Sequence, residues 1–380
     1  MKKKIITPEF ILVFYYFGFA TLRPIIFLAQ SKSTVLIFAF IFITLLMSLF
    51  NNHSYNKNAF VKWFVFSALF ESILYFCPKE IQSTYMTNFF MYGVVTLFLL
   101  LNVDDYALLL QWIVRFSCLN GILLILDPFF DYQFNGTYMS YGLNVLTFSF
   151  SGLLIGYYYL KNKNFLIPML IELAMILFFG NKGAGITAVV LFLFGMILTG
   201  RSLRKLLICT VACVGILNWR SILIWVIKCA NYLGFSSYAL TTFNIILTEG
   251  ANLVFSSRTN IWETANTWIQ QNPIFGYGVG KFEIANNGYV HNIFYEITLT
   301  FGYLGLVVFI LLLLHSIYRM YHNPHTDYKV FQAVILGCWL IPLQFSLTFW
   351  SVSAFWLYWG LYLFDDSYKR WKIESISSDV

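Results

Sequence analysis

Apolar runs close to 20 residues long recur from one end of the chain to the other, separated by short polar stretches. About 20 helical residues cross the hydrocarbon core of a bilayer. The pattern therefore predicts an all-α polytopic membrane protein with about 12 transmembrane helices, near 8–29, 33–50, 60–77, 84–101, 106–126, 141–160, 164–180, 183–199, 204–218, 291–317, 328–346 and 348–364. The first run, from Pro8 to Ala29, follows Lys2-Lys3-Lys4 but exceeds a signal-peptide core and lacks a small-residue cleavage site, so it reads as a span. Only one connection is long, residues 219–290. A loop of that length inside a compact protein is functional or disordered. Trp219, Trp225, Trp262, Trp268, Phe275 and Tyr277 argue against disorder, because they would seek burial or the membrane interface. Ser221 to Leu233 reads as a helix on the membrane surface, and Ser256 or Ser257 as the cap of a second helix that stops at Asn272-Pro273. With no polar segment long enough to fold alone, residues 1–380 form one integral-membrane domain, and 219–290 form its extracytoplasmic loop.

Composition agrees. The 380 residues are 59% hydrophobic and 11% charged, with a mean hydropathy of +0.72, whereas a soluble domain carries about 25% charge. A formal net charge of +7 would suggest nucleic acid in a soluble protein. Here orientation accounts for it. With a cytoplasmic amino terminus, fifteen Lys and Arg fall in inner segments and seven in outer ones, while Arg23 and Arg115 lie within spans. The positive-inside rule then puts both termini in the cytoplasm and 219–290 outside. None of the six cysteines forms a Cys-x-x-Cys or a Cys/His cluster with metal-ligand spacing, so neither zinc nor disulfides are expected.

Candidate chemistry is sparse. His53, His315, His322 and His325 fall on the inner side, which leaves His291 as the one outer histidine, at the amino end of a span. The helix dipole there disfavours imidazolium and keeps the ring able to accept a proton. A packed or solvated histidine is the plainer reading of the same position. Arg258 falls in the first turn of the expected second loop helix, where it could grip an anion or snorkel to lipid headgroups. Phe179-Gly180-Asn181-Lys182-Gly183-Ala184-Gly185 makes a tight outer turn with one cation. Among charges inside spans, Glu71 and Arg115 lie at similar depth and are expected to pair, whereas Glu172, Glu296 and Arg23 have no evident partner. Asp104-Asp105 and Asp365-Asp366 are inner pairs, and Asp127-Pro128 near Asp131 reads as a turn. No outer Asp-x-Asp is present, so a metal-independent reaction without a cofactor is expected.

One series names a reaction. Arg258…Trp262…Asn272-Pro273-Ile274-x-Gly276-x-Gly278-x-Gly280…His291-Asn292, nine residues, then Gly302-x-x-Gly305 resembles the carboxy-terminal signature of the O-antigen ligase and polymerase family. The resemblance implies a glycosyltransferase of the bacterial cytoplasmic membrane that uses undecaprenyl-pyrophosphate-linked glycans. His291 would then be the catalytic base, and Arg258 would bind the pyrophosphate. The Lys182 turn is similar to the family's Ser-Arg-Gly turn, with charge kept and bidentate geometry lost; a solvated hairpin lysine is the other reading. Asn292, Arg23 and Tyr289 are supporting candidates, and Asn135-Gly136-Thr137…Asn144 is similar to a Gly-Thr…Asn feature of the family. Gly276, Gly278 and Gly280 read as a tight loop returning the chain towards His291, not as a phosphate cradle. The function expected is a polysaccharide polymerase of the O-antigen or capsular type. A ligase to lipid A-core, wall polymer or protein is the alternative, and a flippase or transporter a third reading. Its partners would be the lipid-linked oligosaccharide, membrane lipid, a chain-length regulator and a flippase, with no nucleic acid.

Overall fold

The computed structural model describes residues 6–28, 33–51, 57–131, 137–199, 210, 215, 217–232, 238–248 and 251–364. Among these no strand occurs, in agreement with the all-α expectation. Among the described residues, four helical stretches are long and apolar enough to cross a membrane: Lys79–Leu100, Tyr106–Phe130, Tyr138–Tyr158 and Ile293–His322. Most of the expected span at 204–218 lies outside the described residues.

The chain divides into two compact units, Met1–Phe116 with Ala265–Val380, and Ser117–Thr264. In the first, α1 (Pro8–Leu28), α2 (Ser33–Phe50) and α3 (Lys57–Tyr75) precede a long helix made of α4 (Lys79–Asn88), a π segment (Phe89–Val94) and α5 (Val95–Leu100). A π turn leaves carbonyls without their usual partners. Side chains from neighbouring helices supply them here: the Tyr15 hydroxyl donates to the Met91 carbonyl at 2.5 Å and Trp63 Nε1 to that of Val94 at 3.1 Å. The core around this segment is aromatic, with Phe70, Phe89, Trp350 and Trp356 in edge and tilted contacts 4.8–6.1 Å apart. Buried Glu9 accepts the backbone N–H groups of Asp104 and Asp105, each at 3.1 Å, so this expected inner turn is pinned from α1.

The second unit opens within α6 (Tyr106–Leu126) and is built round a rod of α7 (Tyr138–Val145), a second π segment (Leu146–Phe150) and α8 (Ser151–Tyr158). Again a released carbonyl is caught, Asn120 Nδ2 donating to Phe148 at 3.0 Å. α9 (Leu166–Phe179) and α10 (Lys182–Thr199) pack on the rod. The loop region is largely helical, with α11 (Trp219–Tyr232), α12 (Tyr238–Thr248) and α13 (Ala251–Gln271). α11 coincides with the helix expected at Ser221 to Leu233 and exposes Ile222, Ile224 and Trp225.

Three expectations are corrected. α13 starts at Ala251, so Ser256 and Ser257 lie inside the helix and do not cap it; Ala251-Asn252-Leu253-Val254-Phe255 contains no breaker. Glu71 and Arg115 do not pair, for Arg115 lies over the Trp112 ring, 4.6 Å from its centroid. The break between the spans expected at 328–346 and 348–364 is wider than expected. α16 (Thr326–Leu340) and α17 (Ser353–Leu363) are joined by two 3-10 turns, Pro342–Gln344 and Phe349–Ser351, with Leu347 at φ +68° between them. Pro342 cannot extend the hydrogen-bond ladder of α16.

Candidate functional site

In the second unit the turn between α9 and α10 is fastened by one side chain. Asn181 Oδ1 accepts the Ala184 N–H at 2.7 Å and so caps α10, while its Nδ2 donates to the Met139 carbonyl at 2.8 Å. α7 begins under its own cap, Thr137 Oγ accepting from the Ser140 N–H at 3.2 Å. Gly142 lets the two elements touch: a Cβ there would stand 2.7 Å from the Asn181 nitrogen. Thus Thr137 and Asn144 do belong to the helix that supports Lys182, although Asn135 and Gly136 lie outside the described residues.

Lys182, half-buried, starts α10 at this capped turn. Arg258 is also half-buried and near enough for its charge to act on Lys182. Because α13 begins seven residues earlier, Arg258 is not in a first helical turn and has no orphan N–H groups beside it. Any anion it holds is held by the guanidinium. Below Lys182 lies a cavity of about 390 Å³ between α9, α10 and α12, walled by Ile176, Leu177, Gly185, Ile186, Val189 and Phe243. One end of this site is cationic and the rest is hydrocarbon.

In the first unit, His291 lies in the connection between α14 (Lys281–Asn286) and α15 (Ile293–His322). Its φ of +57° is left-handed, a conformation uncommon for non-glycine residues that gathers at functional sites when the surroundings hold it. Those surroundings are specific. The Tyr289 ring packs 4.1 Å from the imidazole, centroid to centroid. Asn292 caps α15, its Oδ1 accepting from Phe294 and Tyr295 N–H at 3.0 and 3.3 Å. Its Nδ2 donates to Gln344 Oε1 at 3.2 Å, and Gln344 Nε2 donates to the Leu340 carbonyl at 3.1 Å. The Thr348 hydroxyl donates to buried Glu296, one turn into α15. Sequence reading left Glu296 without a partner and missed Gln344 and Thr348 altogether, for they sit some 50 residues away in a stretch read as the ends of two spans. On the other flank, burial pushes the Glu283 carboxyl above the usual carboxylate range, against a hydrogen bond from Tyr85.

The glycine series forms a tight loop, as expected, and also docks on α15. α15 is broken at Gly302 (φ +70°, ψ −174°), and the loop after Pro273 fills the break. Tyr277 and Gly278 N–H groups donate to the Leu299 and Thr300 carbonyls at 2.7 and 2.9 Å, which the first half of α15 leaves over. Tyr303 and Leu304, opening the second half, donate to the Pro273 and Ile274 carbonyls at 2.7 and 3.4 Å. Both new helix ends are satisfied by one loop, as a broken helix at membrane depth requires. Contact is too close for side chains. A Cβ on Gly302 would lie 2.0 Å from the Ile274 oxygen, and one on Gly276 2.6 Å from the Gly302 nitrogen. Asn272 Nδ2 bonds the Gly276 carbonyl, and the Tyr277 hydroxyl bonds that of Trp268 at 2.9 Å. The motif is a backbone joint between the loop and the helix that His291 precedes.

Of the other sequence candidates, Arg23 lies against the Phe19 ring at 5.7 Å and within the electrostatic range of Tyr92. Among the described residues no three of His, Cys, Asp and Glu gather as a metal site, and Asp127 is buried in a 3-10 turn.

Helical elements long and apolar enough to cross a bilayer, together with a capped turn carrying a cation and a left-handed histidine before a broken helix, describe a membrane protein. Residues 165–310 match the family model described as O-antigen ligase, a stretch that includes Lys182, Arg258 and His291. Members are glycosyltransferase-like enzymes. No curated protein matches the chain.

Proposed function

We propose that the chain is a polysaccharide polymerase on the outer face of the bacterial cytoplasmic membrane. A growing glycan on undecaprenyl pyrophosphate is the donor, and the next lipid-linked repeat unit is the acceptor. The observation that carries this reading is the pairing of two cations, Lys182 and Arg258, with an apolar cavity below Lys182. That combination suits an anionic headgroup on a hydrocarbon chain. The acceptor hydroxyl oxygen forms a bond to the anomeric carbon as the bond from that carbon to the pyrophosphate oxygen breaks. The hydroxyl proton passes to His291, and the electron pair leaves with the polyprenyl pyrophosphate. Lys182 and Arg258 stabilise the charge that develops there, which is the electrostatic work such a transfer needs most. One displacement inverts the anomeric centre, and no metal ion is required for these roles.

A ligase is the second reading, and the description of the matching family favours it. Purified protein given only lipid-linked repeat units separates the two. A ladder of products identifies the polymerase, and transfer that appears only when lipid A-core or another terminal acceptor is added identifies the ligase. For the mechanism, His291→Gln keeps a hydrogen-bonding side chain and removes the base. Loss of transfer at unchanged membrane level is expected, and full activity in that variant would reduce His291 to an orienting role.

A further inference from the structure

Three helical elements of the second unit meet halfway along α9, around Glu172, whose side chain is almost fully buried at 1% exposure. The Ser149 hydroxyl lies within hydrogen-bond distance of two acceptors, the Ser117 carbonyl at 2.8 Å and Glu172 Oε1. A serine hydroxyl has one proton to give. With that proton on the Ser117 carbonyl, the bond to Glu172 needs a proton from the carboxyl. The second carboxyl oxygen, Oε2, has no hydrogen-bond partner. An ionised carboxylate so placed would be a buried charge with one shared donor, whereas the bare carbonyl oxygen of a neutral acid is far less costly. Cys118, on α6, lies within the field of Glu172. α6 leaves room for the acid by placing Gly121 there: a Cβ would stand 2.2 Å from Glu172 Oε1 and 2.8 Å from Ser149 Oγ.

We propose that Glu172 is held as the neutral acid, donating to Ser149, and is a positioning residue for Lys182. α9 is tied to the α7–α8 rod at two points. One is Glu172 on the π segment, and the other is the turn beyond the end of α9, where Asn181 bonds Met139 and Gly180 packs on Gly142. A single tie would let α9 pivot. Two fix its rotation and height, and Lys182 follows the second directly. The positioning role rests on the reading of Lys182 as a pyrophosphate ligand; the protonation state does not.

The test uses full-length protein in lipid nanodiscs. The infrared C=O stretch of a buried, protonated carboxylic acid should be present in wild type across neutral pH and absent from Glu172→Gln. In a cysteine-free background with Lys182→Cys, the rate of maleimide labelling should be unchanged by Glu172→Gln and altered by Glu172→Ala. In the otherwise wild-type protein, Glu172→Gln supplies an uncharged donor of the same shape and should transfer glycan at close to the wild-type rate. Glu172→Ala should raise the donor KM roughly tenfold with a smaller effect on kcat, as expected for a displaced binding group. No acid band in wild type overturns the protonation state. Glu172→Gln as defective as Glu172→Ala, though folded and inserted, makes Glu172 a working carboxylate and overturns the positioning role. Absence of transfer in every protein would count against the proposed reaction alone, since the band and the labelling rates still decide this proposal.

Discussion

The Lys182 turn and the His291 turn are built on opposite principles. The first is fastened by side chains: Asn181 reaches both ways, and Lys182 itself projects from a capped helix start. The second depends on main chain. The helix that follows His291 stays in place because a loop inserts its own N–H and C=O groups into a break. Side-chain fastening tolerates exchange of the residue that projects. Backbone docking tolerates almost none, since a Cβ at the joint collides with peptide atoms that cannot swing away.

The comparison can be broken most directly at Gly302. Gly302→Ala places a methyl 2.0 Å from the Ile274 oxygen in a backbone region that only glycine enters readily. It should abolish transfer and lower the amount of protein in the membrane, seen by glycan ladder and immunoblot. Wild-type behaviour would mean that the joint is not rigid. Next in size is Arg258. Arg258→Ala should abolish product, and Arg258→Lys should restore little of it, because a planar bidentate donor is not replaced by a point charge. Donor KM and kcat of the purified variants measure this, and full rescue by lysine would remove the bidentate argument. Asn292→Ala should act more mildly. It loses the cap of α15 and the bond to Gln344, at a cost of about 1 kcal/mol, and a several-fold fall in transfer with a lower melting temperature is expected. The smallest effect is Lys182→Arg, expected to be near neutral in transfer assays, because the turn is held by Asn181 and not by the lysine. A severe defect there would show that the turn is as constrained as the joint.

Much of this architecture is legible in the sequence. Apolar runs predict helices such as α2 and α6 with their boundaries. His291, the loop glycines and Arg258 stand out by position and spacing. What is not legible follows from long-range contacts. The break at Gly302 looks like ordinary apolar helix because the loop residues that bond across it are 22 to 30 residues upstream of their partners. Gln344 and Thr348 look like span residues, yet they brace Asn292 and Glu296. The early start of α13 removes the helix-end argument for Arg258 while leaving its charge beside Lys182. Local pattern reveals elements, whereas the docking of one backbone on another is chosen by pairs of residues that no local window contains.

The nine residues between Asn292 and Gly302 are a ruler. At 1.5 Å per residue they measure about 13 Å, less than half the thickness of a bilayer core. Both ends of this short rod are fixed, one by a histidine turn with its asparagine cap, the other by the glycine joint. Adding or deleting one residue would turn the first end by about 100° against the second. Homologous chains should therefore vary more in the composition of this segment than in its length. A chain whose count differs here would carry the histidine to a different face, and with it a different reaction or none.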